Sequence, residues 1–180
     1  MKTKFEYTLF DTSIGLCGVV WTSAGIAGIQ LPEDNQAATR ERIEERFPAA
    51  AFLAPPVDME HAIDDIRAVI SGESRDLVSI PLDWTRVAAF DRRVYEAARK
   101  IPFGATLTYG EVAARIGDNG AARAVGQALG RNPFAVIVPC HRVLAAGTKL
   151  GGFSAGGGTA TKAKLLTAEG AIKGEQTSLF

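Results

Sequence analysis

The sequence predicts two modules: an α/β N-terminal domain built from a small antiparallel sheet plus helices, and a mostly α-helical C-terminal domain with a helix-turn-helix. Three observations lead there. Short apolar runs separated by turn residues fill the stretch from Phe5 to Leu31. Runs with helical spacing, punctuated by glycine and proline, fill the stretch from Phe90 to Gly170. Charge also divides between the halves: residues 1–85 hold 7 Lys and Arg against 14 Asp and Glu, and residues 86–180 hold 13 against 6, so −7 is followed by +7 in a chain of zero net charge. A basic module that meets phosphate, carried by an acidic one that does not, fits this division, and so does a merely solvated charged face.

In the first half, Phe5–Phe10, Leu16–Trp21 and Ile26–Leu31 read as strands joined at Thr12-Ser13 and Ser23-Ala24-Gly25, an antiparallel meander. Glu33 to Phe47 reads as a charged helix stopped by Pro48. From Asp58 to Ser71, Met59, Ala62, Ile63, Ile66, Val69 and Ile70 follow helical spacing, with Asp58 as the expected N-cap and Gly72 past the end. Leu77–Leu82 is expected as another short strand and 83–89 as a linker, which sets the domains at 1–82 and 90–180. His61 falls off the apolar stripe and is expected at the surface, since this half lacks zinc ligands at usual spacing. The uncharged run from Thr12 to Pro32 is interrupted by glycines, so two strands and a turn explain it better than a membrane span. No apolar signal region follows the basic Met1–Lys4, and a cytoplasmic chain without membrane attachment is expected. The two cysteines, Cys17 and Cys140, are expected to stay reduced, Cys17 as a small buried hydrophobe.

The second half opens with a helix from about Asp91 to Lys100, broken at Ile101-Pro102-Phe103-Gly104. Thr108-Tyr109-Gly110-Glu111 has the form of a capping box and starts the next helix. Gly117-Asp118-Asn119-Gly120 is a turn by composition, and Ala121 to Gly130 completes a helix-turn-helix. This third helix is bare, with Arg123 and Gln127 as its only long polar side chains. Such a helix reads few base edges in a wide major groove, yet it can lie close to a narrow minor groove or a backbone; its small residues equally suit close helix packing. Thr161 to Glu169 is the last helix, and a poorly ordered tail is expected after Ile172.

The chemistry concentrates in Asn132 to Val143. Five successive apolar residues, Phe134 to Val138, read as a buried strand that stops at Pro139, just before Cys140. His141 and Arg142 put two basic side chains beside the sulfur, where they favour thiolate over a thiol that is otherwise mostly protonated at neutral pH. Taken as a Cys-His pair alone, a buried structural cysteine also fits. Gly147 to Gly158 is half glycine without Walker spacing. It suits a loop that approaches a planar ligand, with the Phe153 ring and the Ser154 hydroxyl to hold it. Glu169 stands where the helix dipole disfavours a carboxylate, which a basic partner such as His141 would explain.

Pro139-Cys140-His141-Arg142-Val143, with Asn132-Pro133 upstream, resembles the active-site signature of the O6-alkylguanine-DNA alkyltransferases, the suicide DNA-repair methyltransferases. The likeness extends over about Phe90 to Gly170. It implies that Cys140 accepts the alkyl group from a flipped guanine, with His141 as general base and Glu169 as its orienter. It implies that Tyr109 donates at the N3 edge, that Ser154 and loop N–H groups serve O6, and that Asn132 braces the turn between recognition helix and active-site segment. Arg123 would fill the space left by the flipped nucleotide, beside Ala122 and Gln127, while Leu129, Val143, Phe153 and Ser154 would line the pocket. Phe153 stands where many relatives carry tyrosine, and the Gly-rich loop is longer than in many relatives. The N-terminal zinc ligands of some relatives are lacking, so no metal and no cofactor are expected. The implied partner is double-stranded DNA containing O6-alkylguanine, with O4-alkylthymine a further candidate, met by a monomer that acts once. The rivals are a non-catalytic alkylated-DNA-binding module and a thiol hydrolase.

Overall fold

The computed structural model describes residues 4–172, apart from the side chain of Thr148, so the tail after Ile172 lies outside it. Strands β1 (Glu6–Thr12), β2 (Gly15–Thr22) and β3 (Gly25–Gln30) form the expected antiparallel meander. Side chains alternate between its faces. Cys17, Val19 and Trp21 of β2 enter the main core, and Val20 joins Tyr7 and Ala27 on the opposite face. Helix α1 (Gln36–Arg46) covers that opposite face through Ile43, with Phe47 beside it; Asn35 caps α1 by accepting from the Ala38 N–H at 2.9 Å. A two-residue strand β4 (Ala51–Phe52) then pairs parallel to β1, giving a mixed sheet in the order β3-β2-β1-β4. Two residues are too short for a periodicity, so β4 left no mark in the sequence pattern.

Helix α2 (Val57–Ile70) covers the core face of the sheet with the six apolar residues expected of it. Its N-cap is Pro56 rather than Asp58, and no side chain caps it. Asp58 lies inside the first turn, where its charge suits the helix dipole without capping. Leu77–Leu82 is not a strand. The Arg99 guanidinium donates to the carbonyls of Leu77, Val78 and Ile80 at 2.8–2.9 Å and gathers the segment into a turn, leaving Leu82 alone to bridge Ile26.

Asp83 ties the start of the second half to the sheet, accepting from the Thr22 hydroxyl at 2.7 Å and from the Thr85 hydroxyl at 2.6 Å. Helices α3 (Ala89–Ala98), α4 (Tyr109–Arg115) and α5 (Ala122–Gly130) come next, with a short β5 (Leu107–Thr108) that pairs parallel to β6 (Val143–Leu144). The capping box is formed: Thr108 Oγ1 accepts from the Glu111 N–H at 3.2 Å, and Glu111 accepts from the Thr108 N–H at 2.6 Å. Gly117, at φ 77°, makes the left-handed turn between α4 and α5 that a side chain would oppose. Helix α6 (Gly158–Ala168) ends at Glu169.

The Phe134–Val138 run is buried as expected but is a turn, not a strand. Asn132 is the reason: its amide donates to the Val138 carbonyl and its oxygen accepts from the Phe134 N–H, both at 2.9 Å. Holding both ends to one side chain forbids an extended path. Val136 therefore takes φ 73°, rare for a β-branched residue, and the Ile137 N–H donates back to the Ala135 carbonyl at 2.9 Å. Phe134 also bridges Ile29 of β3, so the sheet edge anchors this turn. Among the described residues no helix is long and apolar enough to cross a membrane.

Candidate active site

The braced turn delivers Cys140. Pro139 holds φ −79°, ψ 66°, and the Cys140 N–H donates back to the Val138 carbonyl at 2.8 Å, after which Cys140–Arg142 form one 3-10 turn. The thiol is half-buried and lies on the wall of a cavity of about 610 Å³ between the end of α5, the Gly-rich loop and α1. The next two residues, His141 and Arg142, form a closed cluster with Glu169. His141 Nε2 lies 2.8 Å from Glu169 Oε1, and both side chains are only 1% exposed. Arg142 grips the same carboxylate from both ends, Nε to Oε2 and NH2 to Oε1 at 2.9 Å each, and donates to the Ile101 carbonyl at 2.8 Å.

Burial pushes the Glu169 carboxyl up, but the bonds from His141 and Arg142 outweigh it and hold its pKa at about 2. Burial lowers the pKa of His141 despite its bond to Glu169, so the imidazole is neutral at neutral pH. An ionised Glu169 can only accept, which places the imidazole proton on Nε2 and leaves Nδ1 as a lone-pair acceptor. Nδ1 is buried and has no hydrogen-bond partner among the described residues.

Burial also raises the Cys140 thiol, while the Asn132 amide, the Lys162 ammonium and the N–H groups of the 3-10 turn pull it back down. The cation acting on the sulfur is therefore Lys162, and the expectation that Arg142 serves it is corrected: Glu169 takes up the Arg142 charge. Lys162 is completely buried, donates to the carbonyls of Val143 at 2.6 Å and Gly152 at 3.3 Å, and is lowered by burial to about 8. Sequence reading missed it. The available signal was its spacing, since Lys162, Leu166 and Glu169 follow i, i+4, i+7 and share one face of a helix that faces inward.

Residues 89–171 match the family described as 6-O-methylguanine DNA methyltransferase, DNA binding domain. A methylated-DNA–protein-cysteine methyltransferase of Mycobacterium tuberculosis is 45% identical over 175 residues, 97% of this chain and 98% of the relative. The chain belongs to the O6-methylguanine-DNA methyltransferase family. A further methylated-DNA–protein-cysteine methyltransferase, from Mycolicibacterium paratuberculosis, is 37% identical over 91% of this chain and 92% of its own length. The crystal structure of Mycobacterium tuberculosis OGT in complex with DNA superposes with a TM-score of 0.75 at 33% identity, covering 97% of this chain and 99% of that one. These neighbours share the N-terminal sheet and the C-terminal helical domain.

In this O6-methylguanine-DNA methyltransferase family member the remaining expected residues fall into two groups. Leu129, Asn132 and Ser154 line the same cavity as Cys140. Tyr109, the first residue of α4, lies where α5 and the Gly-rich loop converge: a Cβ on Gly126 would lie 3.8 Å from its ring, and one on Gly151 would lie 3.0 Å from its hydroxyl. Burial and the nearby Cys140 both raise the Tyr109 pKa, so its hydroxyl keeps its proton. Phe153 packs half-buried against the main core, and Val143 is wholly buried in β6; neither lines the cavity. Arg123 and Gln127, one turn apart on α5, are exposed away from it, with Ala122 half-buried beside them. Small residues thus let α5 pack inward at Gly126 while its long polar side chains face out. Among the described residues no group of three or more His, Cys, Asp or Glu is placed to hold a metal ion.

Proposed function

We propose that Cys140 takes the alkyl group directly from O6 of a guanine swung out of double-stranded DNA. The activity itself is that of the family, DNA repair by methyl transfer from DNA to a protein cysteine. The observation that carries the assignment is the buried Glu169–His141 pair, which leaves Nδ1 of the residue next to Cys140 as an acceptor. His141 Nδ1 takes the thiol proton, directly or through one water, and Glu169 stabilises the imidazolium that results. The thiolate attacks the alkyl carbon, an S–C bond forms as the C–O bond breaks, and guanine leaves with the electron pair. Tyr109 donates to the departing base at N3, and Ser154 with loop N–H groups serves O6.

Arg123 fills the stack after the base leaves it, with Ala122 and Gln127 against the DNA, and Leu129 shapes the wall around the base while Val143 and Phe153 support it from the core behind. Asn132 holds the turn in register. The product thioether is not readily cleaved, so each molecule acts once, as a monomer, in a cytoplasm that keeps both cysteines reduced. O4-alkylthymine offers the same alkyl–oxygen bond and is a second substrate candidate. Intact and peptide mass spectrometry after mixing with a duplex holding one O6-methylguanine tests the assignment. One methyl on the Cys140 peptide, absent in Cys140→Ala, is expected; a duplex that is bound without methyl transfer would leave a damage-binding module instead.

A further inference from the structure

We propose that Lys162 is the counter-charge of the Cys140 thiolate and the pin that holds the Gly-rich loop against the active-site segment. The inference rests on the assignment of Cys140 as acceptor. Lys162 enters from α6, the helix that also carries Glu169, and its ammonium is completely buried. Its hydrogen bonds run to two carbonyls from different segments, Val143 just after the 3-10 turn and Gly152 in the Gly-rich loop. A buried ammonium met by carbonyls rather than a carboxylate is a poor way to gain stability, since an apolar side chain of the same volume avoids the desolvation cost. Its arrangement makes sense if the neutralising anion forms nearby during function, and Cys140 is the group whose charge is coupled to it.

The other charged or titratable groups around the sulfur cannot take that part. Arg142 and Glu169 pair with each other, His141 is neutral until it takes the thiol proton and then shares its charge with Glu169, and Tyr95 of α3 and Tyr109 of α4 are held in their protonated forms. Lys162 therefore acts on the reaction as a positioning residue, through charge and through the loop, without touching the transferred group.

The test is the rate of Cys140 labelling by iodoacetamide against pH, read on the Cys140 peptide, in the full chain and in Lys162→Gln, Lys162→Met and Lys162→Arg. Removing the charge is expected to move the inflection to higher pH and to slow labelling at neutral pH about tenfold in the Gln and Met variants, while Arg keeps the wild-type profile. Gln retains a donor for the carbonyls, so it separates charge from loop pinning. A folded Gln variant labelled at the wild-type rate at every pH overturns the proposal, and should Met not fold, the Gln and Arg pair decides. Methyl uptake from an O6-methylguanine duplex is measured alongside on the wild type. Its failure would sink the assignment of Cys140 as acceptor, whereas the thiol profile reads Lys162 in either case.

Discussion

Cys17 and Cys140 are the same residue in two settings. Both thiols are withdrawn from water, Cys17 completely in β2 and Cys140 partly at its turn. Cys17 packs in the apolar core with the Thr12 hydroxyl at 3.7 Å, and burial pushes its thiol up to about 12. Around Cys140 burial acts in the same direction, but an amide, an ammonium and two backbone N–H groups oppose it. Burial alone makes a cysteine inert. Burial with oriented donors is what the proposed acceptor role of Cys140 calls for, because the same dry surroundings that penalise the thiolate strengthen each interaction that favours it.

Removing the base breaks the contrast most completely. His141→Ala takes away Nδ1 and is expected to slow methyl transfer about 10²–10⁴-fold, the usual contribution of a positioned general base. Single-turnover transfer from an O6-methylguanine duplex, followed by quenching and peptide mass spectrometry, measures it. A loss of less than tenfold would mean that the thiolate forms without His141 and that Cys140 differs from Cys17 by charge alone.

The next effect falls on stability. Glu169→Gln leaves the Arg142 guanidinium buried without its anion and is expected to cost about 3–5 kcal/mol. It also has a pH signature with a definite sign. Glu169 is held at about 2 in the fold against an ordinary 4.5, so its contribution is fully present above about 4.5 and is lost as pH falls toward 2. Denaturant melts across that window should show the wild type losing stability and the Gln variant losing distinctly less. Parallel curves would show that the cluster does not hold the carboxylate ionised.

What the sequence disclosed of this contrast depends on distance along the chain. Cys140 and His141 were legible because they are adjacent, and Glu169 because its place at a helix end is unfavourable without a partner. The grip of Arg142 on Glu169 joins positions 27 apart, and Lys162 meets Val143 across 19, so neither pairing shows until the fold brings them together. Phe134–Val138 misled in another way. A short apolar run fits a buried strand or a buried turn equally well, and the deciding contacts belong to a side chain outside the run, Asn132. Asn132→Ala strips partners from the Val138 carbonyl and the Phe134 N–H and is expected to cost about 1–3 kcal/mol. Because that turn aims the sulfur, methyl transfer should fall together with the melting midpoint; normal transfer from a destabilised protein would show that the 3-10 turn positions the thiol unaided.

The smallest expected effect sharpens the comparison from the other side. Cys17→Ala removes one sulfur from a packed position opposite Phe10, and the Thr12 hydroxyl keeps its bond to the Gly15 carbonyl at 2.7 Å. The cost should be about 1 kcal/mol, typical of a modest core truncation. Methyl stoichiometry and the rate of transfer should not change, because Cys17 lies in β2 and is not among the groups that act on the Cys140 thiol. Iodoacetamide should label one cysteine in the folded wild type and the same one in the variant. Labelling of Cys17 at a rate near that of Cys140 would mean that the core face of β2 opens on the timescale of the assay, and that enclosure rather than surrounding charge separates the two thiols.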